Sequence, residues 1–250
     1  MTTGLETSLS RDSFFVPSRH GVTLRYRVRS ATSTVYLTIR LVLRHGQTTI
    51  RTWHRKVRDG QWHTVHWSGM PHGQMEPDGN YAFRVAAARS DGTVVRAAGG
   101  TAHNRFTMHN FAFPVRGPHN FGTDVNRFGA PRNGHTHQGQ DVLADCGLPI
   151  VAARGGVVKA NAFQAGGAGN YLVVSGAGTG WDFVYAHLLQ PSRHQVGDTV
   201  YTGQQIGVVG QTGDATACHL HFEMWSSPGW YSGGQPFDPL PYLETWESYS

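Results

Sequence analysis

Strict alternation of apolar and polar residues is the feature that most constrains the fold of this chain. It runs through residues 22–29 and 35–43, where the residues between the apolar positions are mostly Thr or Arg. A period of two puts the two sets of side chains on opposite faces of a β-strand. Shorter runs follow at 50–54, 62–67, 81–87 and 94–97, separated by turn dipeptides and with no helical stripe between them. This pattern predicts an antiparallel β-sandwich.

The charge of the chain changes near residue 110. Residues 1–110 contain fifteen Lys and Arg against six Asp and Glu, whereas residues 111–250 contain six against ten. We therefore place a domain boundary there, with domains at 1–110 and 111–250. A cationic face attracts anionic polymers, although charged side chains also serve simply to keep strands soluble. No nucleic-acid motif accompanies the arginines, so we expect no nucleic-acid partner.

Targeting signals are not visible in the sequence. No stretch approaches the roughly 20 uninterrupted apolar residues of a membrane helix, so we expect no membrane span. The first fifteen residues lack the basic start and apolar core of a secretory signal peptide.

The second domain is rich in glycine and also carries runs typical of strands. These runs cover 149–159, 171–175, 181–188, 199–201, 205–209 and 219–225. Pro228, Pro236, Pro239 and Pro241 follow, and a proline inside a helix removes a hydrogen bond. We expect an all-β chain that ends in an irregular, Pro-rich tail with no helix before about Leu243.

Side chains with metal and acid–base chemistry lie in three short motifs of this domain. His137 and Asp141 are four residues apart, with a glycine between them that lets both point at one ion. His219 and His221 share one face of a predicted strand, and His187 lies near the end of an aromatic-rich run. If one imidazole binds Zn²⁺, its neighbour stands where a base is needed.

These motifs resemble those of the lysostaphin-type (LytM-like) zinc endopeptidases, which cut the peptide part of peptidoglycan. The matching segments, in the order and approximate spacing of that family, are His137-x-Gly-x-Asp141, Tyr185-x-His187-Leu188 and His219–Glu223. The resemblance spans roughly residues 113–225 and implies a lysostaphin-type antiparallel β domain.

The resemblance also implies the roles of five residues. His137, Asp141 and His221 become the ligands of one zinc ion per chain, with the fourth tetrahedral position left to water. His187 and His219 become the catalytic pair: one takes the proton of the water, and the other positions the water or stabilises the oxyanion. The sequence leaves the two roles open between them; we favour His219 as the base.

The implied function is that of a zinc metalloendopeptidase acting on the stem or cross-bridge of peptidoglycan, secreted or in the cell envelope. The alternative is an inactive wall-binding relative that activates other hydrolases, although such relatives usually lose ligands and this chain keeps all five side chains.

Cys146 and Cys218 would both lie near the metal. We expect a disulfide between them, with two free thiols as the alternative.

The first domain carries a shorter resemblance. Residues 67–69 and 78–85 resemble the end of the immunoglobulin-like modules of bacterial surface proteins and of the flagellar hook-capping protein. This implies an immunoglobulin-like β-sandwich that serves as a cell-wall-binding or spacer module. The partner of its Arg-rich surface would then be an anionic polymer of the cell wall.

Overall fold

The structure is a computed structural model, and it describes residues 4–29, 34–43, 48–58, 60–70, 75–96, 104–132 and 134–250. These residues form two compact units. The first consists of the described residues up to His109 except the short segment Phe15–Ser18 and Met75, which belong with Asn110–Ser250 in the second. In the described residues no helix is long and apolar enough to span a membrane.

The part of the chain up to residue 109 forms two β-sheets. Its strands are β1 (Gly4–Leu9), β2 (Ser13–Phe15), β3 (Val22–Arg29), β4 (Val35–Leu43), β5 (Thr49–Val57), β6 (His63–Trp67), β7 (Gly79–Arg89) and β8 (Arg105–His109). One sheet has the order β1-β3-β6 and the other β2-β8-β7-β4-β5. The β1–β3, β3–β6, β4–β5, β4–β7 and β7–β8 pairs are antiparallel.

Aromatic side chains join the two sheets. The Trp67 ring of β6 lies 5.0 Å from the Tyr81 ring of β7 and 5.8 Å from the Phe106 ring of β8. The apolar positions of β3 and β4 are buried, and the polar positions between them are mostly exposed or half-buried. The predicted antiparallel β-sandwich is confirmed, and its immunoglobulin-like character stays a prediction.

Two details of the first unit differ from the sequence prediction. The predicted strand at 94–97 is wrong as far as the described residues show. Val94 makes only an isolated bridge with Ala88, and Ala97 lies outside the described residues. Strands β1, β2 and β8 were not predicted. Leu5 is the one buried position of β1, β2 is only three residues long, and β8 has only Phe106 and Met108 as buried positions.

The second unit is built on a large sheet. Its elements are β9 (His119–Asn120), a 3₁₀ helix (Asp124–Asn126), β10 (Pro131–Arg132), β11 (His135–Thr136), β12 (Gln140–Ala144), β13 (Pro149–Val151), β14 (Gly156–Gln164), β15 (Gly169–Gly176), β16 (Asp182–Leu188), β17 (Thr199–Val200), β18 (Gln205–Val208), β19 (His219–Trp225), β20 (Pro236–Phe237) and α1 (Leu240–Glu247). The large sheet has the order β17-β14-β15-β16-β19-β12-β9, and β20 pairs with β19.

One face of this sheet packs on the hydrophobic core. Val142, Leu172, Tyr185 and Phe222, from four neighbouring strands, are fully buried there. Trp246 of α1 packs against the same core. The opposite face is therefore left for the side chains that alternate with these, including Asp141 of β12 and His219 and His221 of β19.

The C-terminal tail is more regular than predicted. Its helix begins at Leu240 and not near Leu243. Pro241 lies in the first helical turn, where backbone N–H groups have no partner within the helix, so its missing N–H costs no hydrogen bond. Leu243 and Trp246 are the buried residues of this helix. The predicted run at 149–159 is divided into β13 and β14 by a bend at residues 152–155.

The predicted disulfide is confirmed. Cys146 and Cys218 are bonded, with their Cα atoms 5.2 Å apart and a sequence separation of 72. The bond joins the segment after β12 to the residue before β19, and these are the strands that carry Asp141 and His219. By the chain-entropy estimate a loop of this length contributes about 4 kcal/mol to stability.

Candidate active site

Strand pairing brings the first group of predicted site residues together. Asp141 on β12 and His221 on β19 are direct Cα partners, and Leu143 and His219 form the next pair on the same face of the sheet. Since Leu220 and Phe222 are buried in the core, alternation places His219 and His221 on the opposite face of the sheet.

A β-bulge brings His187 to the same face. Tyr185 on β16 faces the core, so simple alternation would send His187 into the core as well. The β15–β16 register shifts between Asn170 and Leu172, and His187 has a left-handed backbone with φ of 60°. Leu188 therefore takes the core position, and His187 turns toward the site. Such bulges re-aim side chains beside active sites, at a backbone cost of about 1–3 kcal/mol.

Three potential metal ligands converge within hydrogen-bond distance. His137 Nε2 lies 3.0 Å from Asp141 Oδ1 and 2.8 Å from His221 Nδ1. His221 Nδ1 lies 3.0 Å from Asp141 Oδ1. All three residues are largely buried, and their ligand atoms form the cluster of the described residues that is able to hold a metal ion.

Outer hydrogen bonds decide which atoms of the cluster face inward. His137 Nδ1 donates to the Arg127 carbonyl at 2.8 Å, which leaves the Nε2 lone pair toward the cluster. His221 Nε2 donates to Glu223 Oε1 at 2.9 Å, and the other oxygen of Glu223 accepts from Trp225 Nε1 at 2.6 Å. Carboxylate and carbonyl partners of this kind orient metal-binding histidines.

The charge environment of the cluster favours a cation at its centre. Burial would lower the pKa of His221, but its hydrogen bonds to Asp141 and Glu223, and their charges, raise that pKa to about 9. Burial would raise the pKa of Asp141, but hydrogen bonds from His137 and His221 hold it far below the usual range. Two imidazoles and one carboxylate are also a donor set that zinc takes in catalytic sites. The residues present therefore fit a zinc ion.

Metal binding at this cluster should depend on pH. Because the pKa of His221 is about 9, its imidazolium must lose a proton before Nδ1 can bind a metal at pH 7, whereas Asp141 is already ionised. We expect calorimetry in buffers of different ionisation enthalpy to show release of about one proton per zinc at pH 7. The zinc affinity should fall about tenfold per pH unit between pH 8 and pH 7. Release of no proton would contradict this assignment.

His187 and His219 form a second pair beside the cluster. Their ring centroids are 4.6 Å apart, and His219 Nε2 lies 3.6 Å from Asp141 Oδ1. His187 Nδ1 donates to the Thr212 carbonyl and His219 Nδ1 to the Ala217 carbonyl, both at 2.8 Å. Both Nε2 atoms therefore carry lone pairs and act as acceptors.

Both members of this pair are neutral near pH 7. Burial, with the charges of His221 and His219, lowers the pKa of His187 to about 4. Burial is also the largest cause of the lowered pKa of His219. Neutral imidazoles beside a cation site are suited to accept protons or hydrogen bonds.

Several supporting residues were missed by sequence reasoning. Arg132 and Asn126 hold the outer oxygen of Asp141, at 3.3 and 3.4 Å. Neither lies in a recognisable motif, and the Arg127 carbonyl has no side-chain signature at all. Glu223 is the exception, because it ends the His219–Glu223 motif and its place two residues after His221 puts both on one face of a strand.

Comparison with known proteins agrees with this geometry. Residues 135–239 match the sequence profile of peptidase family M23. The glycyl-glycine endopeptidase ALE-1 of Staphylococcus capitis is 32% identical over 155 residues, which cover 61% of this chain and 39% of that protein. An L-Ala–D-Glu endopeptidase of Bacillus subtilis is 31% identical over 152 residues, covering 56% of this chain and 44% of that protein.

A solved structure is also similar. The catalytic domain of the antimicrobial peptidase lysostaphin from Staphylococcus simulans is 31% identical, covers 49% of this chain and 90% of that chain, and has a TM-score of 0.42. The chain spans less than half the length of the curated relatives it matches. The C-terminal part of the chain belongs to peptidase family M23, the lysostaphin-type metallopeptidases.

Proposed function

We propose that the chain is a zinc-dependent endopeptidase that hydrolyses peptide bonds in the stem or cross-bridge of bacterial peptidoglycan. The observation that carries this proposal is the convergence of His137, Asp141 and His221 beside two neutral imidazoles. The similar proteins support the substrate class, since the names of the two relatives describe endopeptidases specific for glycyl-glycine and L-Ala–D-Glu bonds.

In this proposal His137 Nε2, Asp141 Oδ1 and His221 Nδ1 would hold the zinc ion. A bound zinc ion supplies a water with its pKa lowered toward ~7 and polarises the carbonyl of the substrate. His219 Nε2 would accept the proton of that water, because it carries a lone pair and lies 3.6 Å from Asp141 Oδ1. The same nitrogen then returns the proton to the leaving amine.

The other imidazole has a different role. With its Nδ1 hydrogen donated to Thr212 and its pKa lowered to about 4, His187 presents a lone pair at Nε2. A neutral acceptor orients a water molecule, whereas stabilising an oxyanion needs a donor. Of the two roles open to it from sequence, the geometry supports water positioning.

The alternative, an inactive wall-binding relative, has less support. Both groups, the three ligands and the two imidazoles, are present, and each of the five side chains has an orienting hydrogen bond.

The second partner we propose is an anionic cell-wall polymer, bound by the first unit. Exposed cations lie on the outer face of its larger sheet, where Arg40 of β4 is the Cα partner of Arg84 of β7, and Lys56 of β5 that of Tyr36. Arginine binds phosphate and carboxylate groups bidentately.

A wall-clearing assay separates these functions. The full chain loaded with zinc should clear a suspension of purified peptidoglycan and release peptide fragments, and chelation should stop the clearing. A wall binder would sediment with the walls without clearing them. Retention on walls that carry anionic polymer should fall with added salt, because screening weakens exposed charge interactions. Salt-independent retention would remove the anionic polymer from the proposal and leave the endopeptidase in place.

The disulfide bears on location. Disulfides persist in oxidising compartments and are rare in the cytosol, and the Cys146–Cys218 bond lies in the peptidase unit itself. We therefore propose that the protein works outside the cytoplasm, where its wall substrate is.

A further inference from the structure

A single segment without regular secondary structure orients both catalytic imidazoles. This segment, Gln211–Cys218, is called the orienting loop here. The Thr212 carbonyl accepts from His187 Nδ1 near its start, and the Ala217 carbonyl accepts from His219 Nδ1 near its end. A carbonyl only accepts, so each bond fixes the Nδ1–H tautomer and leaves Nε2 free to accept.

The first half of the orienting loop is held by hydrogen bonds and close packing. Thr212 Oγ1 donates to the Leu188 carbonyl at 2.7 Å and accepts from Asn170 N–H at 2.9 Å. Gly213 has φ of 77°, and a Cβ there would lie 2.2 Å from the Gly169 nitrogen. The Thr212 carbonyl is therefore fixed against β15 and β16.

The second half is held differently. Its residues from Ala215 to Cys218 are exposed or half-buried. The side chain of Gln211 contacts both ends of it, with Nε2 3.5 Å from the Ala215 carbonyl and Oε1 3.9 Å from Cys218 Sγ. These are long contacts. The covalent tie is the disulfide from Cys218, the residue after Ala217, to Cys146 beyond the end of β12.

We propose that Cys146 and Cys218 are positioning residues for catalysis: their disulfide holds the Ala217 carbonyl where it fixes the tautomer and orientation of His219. The enzyme is then fully active only in its oxidised form. The inference rests on the proposed function for its activity readout, but the state of the His219 ring is measurable without it. His187 takes its orientation from the other half of the loop and should be unaffected.

The test is the Cys146→Ser/Cys218→Ser double variant of the full chain loaded with zinc. We expect kcat for a soluble peptide substrate to fall at least tenfold, with KM within about threefold and one zinc retained per chain, because a displaced base loses part of the 10²–10⁴-fold effect of general base catalysis. In ¹⁵N spectra of labelled histidine, His219 should lose its single Nδ1–H tautomer while His187 keeps its own.

Two further measurements separate positioning from stability. Val200 is a fully buried core residue on β17. As a control for stability, the Val200→Ala variant should have a lower thermal midpoint of unfolding and an unchanged kcat. If the double variant does not fold, the folded wild-type protein can be reduced with a water-soluble phosphine, which becomes the phosphine oxide while both cysteines become thiols. The same fall in kcat is expected, and reoxidation should restore it.

Three results would overturn the inference. The first is an unchanged kcat, and the second is a fall in kcat with the His219 tautomer unchanged. The third is loss of the bound zinc when the disulfide is removed. If the wild-type protein cleaves no peptide at all, the proposed function fails, while the ¹⁵N spectra still decide whether the disulfide orients His219.

Discussion

Replacing Asp141 by alanine is expected to abolish zinc binding and wall hydrolysis together. Asp141 Oδ1 lies 3.0 Å from both facing imidazole nitrogens, and it supplies the negative charge of the three-residue cluster. Loss of an outer partner alone typically weakens metal binding 10- to 100-fold, so loss of a ligand should weaken it by at least ~100-fold. Wall-clearing activity should fall below about 1% of the wild-type rate, since the metal supplies the activated water.

The measurement is the zinc content after dialysis, paired with the clearing assay. Asp145→Ala is a matched control, because Asp145 is an exposed carboxylate four residues further along the chain. That control should keep one zinc per chain and normal activity. An Asp141→Ala protein that retains stoichiometric zinc would contradict the assignment of Asp141 as a ligand.

Replacing His219 by alanine should separate activity from metal binding. The His219 ring is held by the Ala217 carbonyl and lies beside the ligand cluster without belonging to it. We expect kcat to fall by about 10²–10⁴-fold, the range of general base catalysis, with zinc still at one per chain. The kcat effect should exceed any change in KM, because the proton is transferred only in the transition state.

His194→Ala provides the control for this substitution. His194 lies in the same unit, and its ring contacts the Gln205 carbonyl, so its loss should leave both zinc and kcat near the wild-type values. Loss of zinc from the His219→Ala protein would contradict the separation of ligands from the base, and an unchanged kcat would remove His219 from the catalytic pair.

Sequence reasoning was strongest where residues repeat at a fixed period. The alternation of β3, β4 and β19 predicted their faces, including the shared face of His219 and His221. The proximity of Asp141 to His221 came from family resemblance, because β12 has only five residues and its pairing with β19 joins positions 80 residues apart. Long-range register of this kind leaves no local signal.

Three features were beyond a periodic pattern. The bulge at His187 breaks the alternation that predicts strands, so its ring reaches the site only because the backbone departs from the rule. The helix that begins at Leu240 was not predicted because proline disfavours a helix interior. Pro241 is tolerated here because it lies in the first turn, where its missing N–H breaks no hydrogen bond. The orienting carbonyls of Arg127, Thr212 and Ala217 belong to the backbone and have no residue signature.

The most direct test of the zinc site is anomalous diffraction at the zinc edge from crystals of the zinc-loaded protein. We expect one strong peak per chain in the peptidase unit, bounded by His137 Nε2, Asp141 Oδ1 and His221 Nδ1, with the Nε2 atoms of His187 and His219 facing it. A peak on any other set of side chains, or no peak in the presence of saturating zinc, would contradict it.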